Sequence, residues 1–268
     1  MARQIFIFII GTICGSFLNV CIHRLPKGEG VVFGRSRCPH CASVIAWYDN
    51  IPLVSYLILR GRCRTCRGVI SFRYFLVELL SGLSFLFCFR AFGLGFDLVF
   101  YLILISGLTI ATFVDIEHRI IPDEVTLGGI AAGFILNWLK TYFSTGNFLL
   151  QPLRDSFIGA AVGGGIIFLV GFLFDTVYFK LLKKPAVEGE TTSMGGGDVK
   201  LLAMIGAFLG WQKAVLVFFL APFLGLSLGI INLIVKRRHV LPYGPFLSLA
   251  SVIAAFWADR IFALFFLR

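Results

Sequence analysis

A chain of 268 residues that is 58% apolar, only 14% charged and carries a net charge of +10 is too greasy for a water-soluble domain, which is about half apolar and a quarter charged. The same figures exclude disordered and collagenous chains and small secreted disulfide scaffolds. What remains is an all-α polytopic membrane protein, because the apolar runs are continuous and do not alternate as in outer-membrane barrels.

The first run, Gln4–Ile22, is long for a signal-peptide core and lacks a small-residue cleavage site, so it reads as a span. Residues 23–73 follow with nine Arg or Lys against two acids, Glu29 and Asp49. Between two apolar runs such a bias marks a cytoplasmic loop and not a nucleic-acid surface. Seven more runs are expected to span: Tyr74–Phe92, Phe96–Val114, Val125–Phe143, Ser156–Leu182, Val199–Trp211, Ala214–Val235 and Leu241–Leu267. Val199–Trp211 has only 13 residues, short of the ~20 a spanning helix needs. About eight spans put both termini outside and place 17 of the 24 basic residues on the inner side. The expected division is a first helix at 1–22, a cytoplasmic zinc-binding loop domain at 23–73 and a membrane core of about seven helices at 74–268. Residues 184–197 read as a flexible, solvated segment.

Three of seven cysteines, Cys14, Cys21 and Cys88, lie in spans and read as small packing residues. The others form Cys38-Pro-His-Cys41 and Cys63-Arg-Thr-Cys66, with 21 residues between the pairs. Two such knuckles supply four thiolates to a structural Zn²⁺. Disulfides or redox dithiols are the alternative, which a reducing cytoplasmic side disfavours. His40 reads as a knuckle residue and not as a fifth ligand.

Acids at membrane depth are costly and mark function. Asp115 is expected to end the third span, where a negative charge opposes the helix dipole. Asp198 follows Gly195, Gly196 and Gly197. Its structural reading is the N-cap of the short sixth helix. The three glycines argue for more, since they clear side chains from where an extended peptide substrate would pass. The topology brings Asp115 and Asp198 to one face, and paired carboxylates can share a proton and activate water. A metal held by Asp115, Glu117 and His118 is the competing reading. Glu78, at the start of the second span, is an acid with a binding role in view.

Together these segments closely resemble the bacterial type IV prepilin peptidases, the bifunctional leader peptidase/N-methyltransferases. The resemblance runs over Gly15-Ser16-Phe17-Leu18-Asn19-Val20, Arg24-Leu25-Pro26, both cysteine pairs, Trp47-Tyr48-Asp49-Asn50-Ile51-Pro52 and Ile70-Ser71-Phe72-Arg73-Tyr74. It continues through Val77-Glu78-Leu79, Asp115 with Ile121-Pro122-Asp123, Gly195-Gly196-Gly197-Asp198 and Pro242-Tyr243-Gly244-Pro245-Phe246. It implies a GxGD-type aspartic peptidase of the cell inner membrane, surrounded by lipid, with Asp115 and Asp198 as catalytic pair and the glycines as substrate loop. It implies prepilin or pseudopilin substrates, N-methylation of the new N-terminus from S-adenosylmethionine, and no nucleic-acid partner. Glu117 departs from the family, many members of which have a second Asp there. No Gly-rich fingerprint locates the methyl donor; Glu78, Asp49 and Asn50 are the candidate contacts. A peptidase without methyl transfer, a small proton- or cation-coupled transporter and a zinc-anchored scaffold are the other readings.

Overall fold

The structure, a computed structural model, describes residues 1–145, 150–181, 195–234 and 242–266. Among the described residues it is all-helical, with no strand and two isolated β-bridges, Arg37–Val44 and Arg62–Val69. The helices are α1 (Ala2–Arg24), α2 (Val54–Ile58), α3 (Phe72–Phe92), α4 (Phe96–His118), α5 (Asp123–Thr145), α6 (Gln151–Asp175), α7 (Gly196–Leu209), α8 (Trp211–Ile234) and α9 (Gly244–Phe266). A π-helical turn, Thr176–Leu181, continues α6. Each apolar run expected to span falls on one helix, save that Trp211 of the sixth run opens α8; α7 is short, with 14 residues, and α2 is additional. Five segments are long and apolar enough to cross a bilayer: Ala2–Lys27, Phe72–Phe92, Phe96–His118, Gln151–Tyr178 and Gly244–Leu264. Most of the segment expected to be flexible (184–194) and Lys183, Lys184, Lys236, Arg237 and Arg238 lie outside the described residues.

Apolar stripes stay uncovered on these helices. On α1 they are Phe6, Ile9, Ile13 and Phe17; on α6, Phe168, Leu169, Phe172 and Leu173; on α8, Phe219, Phe223 and Leu226. Water would penalise such stripes at roughly 25 cal/mol per Å², whereas acyl chains would not. The protein is a multi-pass membrane protein.

The chain divides into two compact units, Met1–Ile110 and Ala111–Arg268. In the first, α1 packs on α3. Glycines set the approach: a Cβ at Gly15 would stand 2.8 Å from the backbone of Glu78, and one at Gly11 2.8 Å from that of Gly82. Small residues four apart bring helix backbones together in this way.

In the second unit, α7 packs against α5, α6, α8 and α9. Leu201, Leu202, Met204, Ile205, Gly206, Ala207 and Phe208 are all buried. The short sixth run is apolar because protein encloses it on many sides, and its ~21 Å length at 1.5 Å per residue is less than a bilayer core. Asn137 of α5 donates to the Ala207 carbonyl of α7 at 2.9 Å. Gly159 of α6 and Gly206 of α7 meet backbone to backbone, each lying where the other's Cβ would clash with a carbonyl oxygen. Gly206→Ala should therefore cost about 1–3 kcal/mol, as overpacking does. Gly165→Ala, whose Cβ meets nothing within 4 Å, should leave stability unchanged or raise it by up to about 1 kcal/mol through helix propensity. Thermal unfolding in detergent, measured side by side, checks both; equal melting temperatures would remove the claim.

Candidate active site and metal centre

The sequence places the end of α4 at Asp115. The helix instead runs one turn further, to His118, and stops at Arg119, whose φ of 56° is left-handed and whose N–H bonds the Asp115 carbonyl at 2.9 Å. Asp115 remains in the last turn and is only 7% exposed. Its Oδ2 accepts the Gly244 N–H at 2.8 Å. A Cβ at Gly244 would stand 2.7 Å from that oxygen, so the contact requires glycine.

Asp198 lies in the first turn of α7, two residues after its first residue, Gly196. The N-cap is Gly195, with no side-chain cap bond, so Asp198 is not the cap that its sequence context suggests. The carboxylates of Asp115 and Asp198 lie within electrostatic range of one another, and Tyr243 within that of Asp198. Three segments far apart in sequence thus converge in one unit: the end of α4, the start of α7 and the turn before α9.

The glycines divide the work. A Cβ at Gly197 would press on Ile121 at 3.0 Å, at Gly196 it would meet nothing within 4 Å, and at Gly195 only Asp198 Oδ2 at 3.4 Å. Gly197 is close packing, while Gly195 and Gly196 leave open room beside the acid. Lys200 reinforces the arrangement by pairing with Asp123, Nζ to Oδ1 2.6 Å, tying α7 to the start of α5. Glu117 and His118 lie 3.9 Å apart with side chains 35% and 40% exposed. The potential metal ligands that converge among the described residues are not these but the four cysteines.

The cysteine quartet belongs to the first unit. The sulfurs of Cys38, Cys41, Cys63 and Cys66 all lie within 4.8 Å of one another, and the cysteines are free. Zn–S bonds of ~2.3 Å in a tetrahedron imply sulfurs ~3.8 Å apart; Cys38 and Cys66 stand at 3.8 Å. The two knuckles repeat one design. Cys38 N–H bonds the Ser43 carbonyl and Cys63 N–H that of Gly68. Ala42 and Arg67, each following the second cysteine of its pair, are left-handed at φ 55° and 61°. A bridge closes each turn, Arg37–Val44 and Arg62–Val69. The backbone N–H groups of Cys66 and Thr65 lower the Cys63 thiol to about 6, while burial and the neighbouring sulfurs push Cys66 up to about 11, so the four ionise together only around a cation. The quartet's donor set and spacing fit Zn²⁺. His40 joins the knuckles through a 3.0 Å contact of Nε2 with the Val69 carbonyl.

The three candidates for donor contacts separate. Asp49 is gripped by Arg64 through three contacts of 2.6–3.1 Å, which lower its carboxyl below the usual carboxylate range. Glu78 Oε2 accepts the Leu53 N–H at 2.8 Å. Both carboxylates and Asn50 line a cavity of about 350 Å³ in the first unit.

Residues 9–92 match the bacterial peptidase A24 N-terminal domain, and residues 102–230 match the type IV leader peptidase family. A prepilin leader peptidase/N-methyltransferase of Stutzerimonas stutzeri is 36% identical over 281 residues, covering 95% of this chain and 91% of that protein. The chain belongs to the type IV leader peptidase family. Proteins of the same name from Myxococcus xanthus and Pseudomonas aeruginosa are 42% and 34% identical, over 87% and 94% of this chain. The chain spans 64% of the Myxococcus protein's length and 90% of the Pseudomonas one. No solved structure gives a significant match.

For this leader peptidase family member, sequence reasoning named the two acids but not their neighbours. Gly244 and Tyr243 stood only inside a quoted motif, and the Lys200–Asp123 pair was not foreseen. The Pro242-Tyr243-Gly244-Pro245 run, a glycine between prolines just before an apolar helix, was the available signal.

Proposed function

We propose that the chain cleaves the leader peptide from type IV prepilins or type II secretion pseudopilins at the cytoplasmic face of the inner membrane. It then N-methylates the new N-terminal residue. The observation carrying this reading is the convergence of Asp115 and Asp198 beside open glycine backbone, in a chain of this family. One carboxylate takes a proton from water as the water oxygen attacks the scissile carbonyl; the other protonates or hydrogen-bonds the carbonyl oxygen. Collapse of the tetrahedral adduct breaks the C–N bond, and the leaving amine takes up a proton. The Gly244 N–H fixes one carboxylate throughout, and Gly195 and Gly196 leave room for an extended substrate.

S-adenosylmethionine, when bound, supplies a methyl group on a cationic sulfur for the freed α-amine. Cys38, Cys41, Cys63 and Cys66 hold a structural Zn²⁺ that folds the 23–73 loop. In the bilayer the reading is eight spans with the 23–73 loop inside, α7 passing within the bundle, and a division into 1–22, 23–73 and 74–268. The basic residues on the inner segments support it. A transporter reading leaves the cysteine quartet without a purpose.

The test is incubation of the purified full chain with a prepilin, with and without S-adenosylmethionine, followed by product mass. Leader loss in both reactions, and a further 14 Da (one CH₂, roughly) only with the donor, is expected. Leader loss without the added mass removes the methyl-transfer half; an intact prepilin removes the whole reading.

A further inference from the structure

The cavity of the first unit lies between the C-terminal end of α1, the N-terminal end of α3 and the cysteine-bearing loop. Its volume of about 350 Å³ falls within the range for cofactor-sized ligands. Three observations mark it as built for a ligand.

The first is Asn19. It is 3% exposed, its Nδ2 donates to the Tyr74 carbonyl at 3.0 Å, and its Oδ1 is buried without a partner. An unmet buried acceptor costs about 1–3 kcal/mol, so it calls for a donor from outside the chain, a ligand group or a water that bridges to one. The second is Glu78, whose carboxylate accepts the Leu53 N–H at 2.8 Å while lining the same cavity. Leu53 presents that N–H from φ 60°, a conformation unfavourable for a branched side chain. Strain of that kind concentrates where geometry serves binding. Ser55 closes the same turn by accepting the Ile51 N–H and donating to the Tyr48 carbonyl at 2.9 Å. The third is that Tyr48, Tyr56 and Tyr74 line the cavity, giving aromatic surface for a flat heterocycle. Asp49, by contrast, has both oxygens taken by Arg64.

We propose that this cavity is the methyl-donor site, taking an adenosyl sulfonium ligand with Glu78 toward its cationic end and Asn19 Oδ1 accepting one of its N–H or O–H groups. The assignment rests on the methyl-transfer reading above. It requires no Rossmann-type glycine loop, because a carboxylate and an amide on two packed helices supply the recognition.

The test uses the full zinc-loaded chain in detergent and measures binding of S-adenosylmethionine and of its neutral thioether, S-adenosylhomocysteine, by calorimetry. Removing a charge-assisted contact should cost about tenfold to a hundredfold in Kd. Glu78→Gln should weaken the sulfonium ligand by that factor and the thioether by less. Asn19→Leu should weaken both alike. Glu78→Asp should recover part of the loss. Zinc content reports folding of the cavity's own unit in each variant, and prepilin cleavage that of the other. Should Glu78→Gln lose both, Glu78→Asp and Asn19→Leu carry the test. Wild-type affinity in folded Glu78→Gln and Asn19→Leu overturns the site. A wild-type chain that cleaves prepilin but binds neither ligand overturns the methyl-transfer reading itself.

Discussion

Asp115→Asn and Asp198→Asn should each lower prepilin cleavage by on the order of 10²–10⁴-fold, the contribution of a positioned acid or base. A loss of 10³ corresponds to about 4 kcal/mol of transition-state stabilisation. The amide is close in shape to the carboxylate, so at position 115 its oxygen can still accept the Gly244 N–H that Asp115 Oδ2 accepts at 2.8 Å. Fold and zinc content should therefore be retained while proton transfer is lost. The double variant should be little worse than either single one, because residues acting as a unit are non-additive. Carboxylates in electrostatic contact titrate as a pair, so the wild-type rate should follow a bell-shaped pH profile whose limbs belong to both. Gly244→Ala separates positioning from chemistry: its Cβ would stand 2.7 Å from Asp115 Oδ2 and displace the carboxylate without removing it. It should reduce cleavage while leaving the shape of the pH profile. Glu117→Gln, at a half-exposed side chain, should keep substantial cleavage. The measurement is processed pilin at matched enzyme level; near-normal processing by Asp198→Asn would reduce that residue to a favourable charge at a helix start.

The extent of what could be read from sequence follows the range of the physics involved. The long helices were legible because apolar runs report burial or lipid contact locally. The cysteine knuckles were legible because ligand spacing is local chemistry. The character of α7 was not: its run of apolar residues reads the same whether lipid or protein surrounds it. Only packing against α5, α6, α8 and α9 tells the two apart. Asp198 sat where a cap is expected, and backbone geometry gave that position to Gly195 instead. The Gly244 N–H on Asp115 joins residues 129 apart, a pairing that no local pattern reports. Leu53, Ala42 and Arg67 hold left-handed backbone without being glycine, so composition gave no sign of those turns.

Cys63→Ser should abolish zinc binding and unfold the loop while leaving prepilin cleavage largely intact. Four thiolates gathered within 4.8 Å repel one another unless a cation sits among them. The surrounding loop has little regular structure: among its described elements are one five-residue helix, short 3₁₀ turns and two single bridges. Structural zinc contributes roughly 10–16 kcal/mol of apparent binding energy in small thiolate sites at neutral pH, far more than a solvent-screened ion pair such as Arg64–Asp49. Serine cannot supply an equivalent soft ligand, so the remaining three sulfurs lose the metal or hold it weakly. Cys38 and Cys63 also line the cavity assigned to the methyl donor. Loss of zinc therefore removes one of its walls, and methyl transfer should fall with metal content. Asp115 and Asp198 belong to the other compact unit, Ala111–Arg268, which contains none of the four cysteines. Elemental analysis of protein purified without chelator, limited proteolysis of the 23–73 loop and the two activities measured separately check the chain of cause. Wild-type protein without zinc, or a Cys63→Ser chain with full metal content and methyl transfer, would end the structural-metal reading.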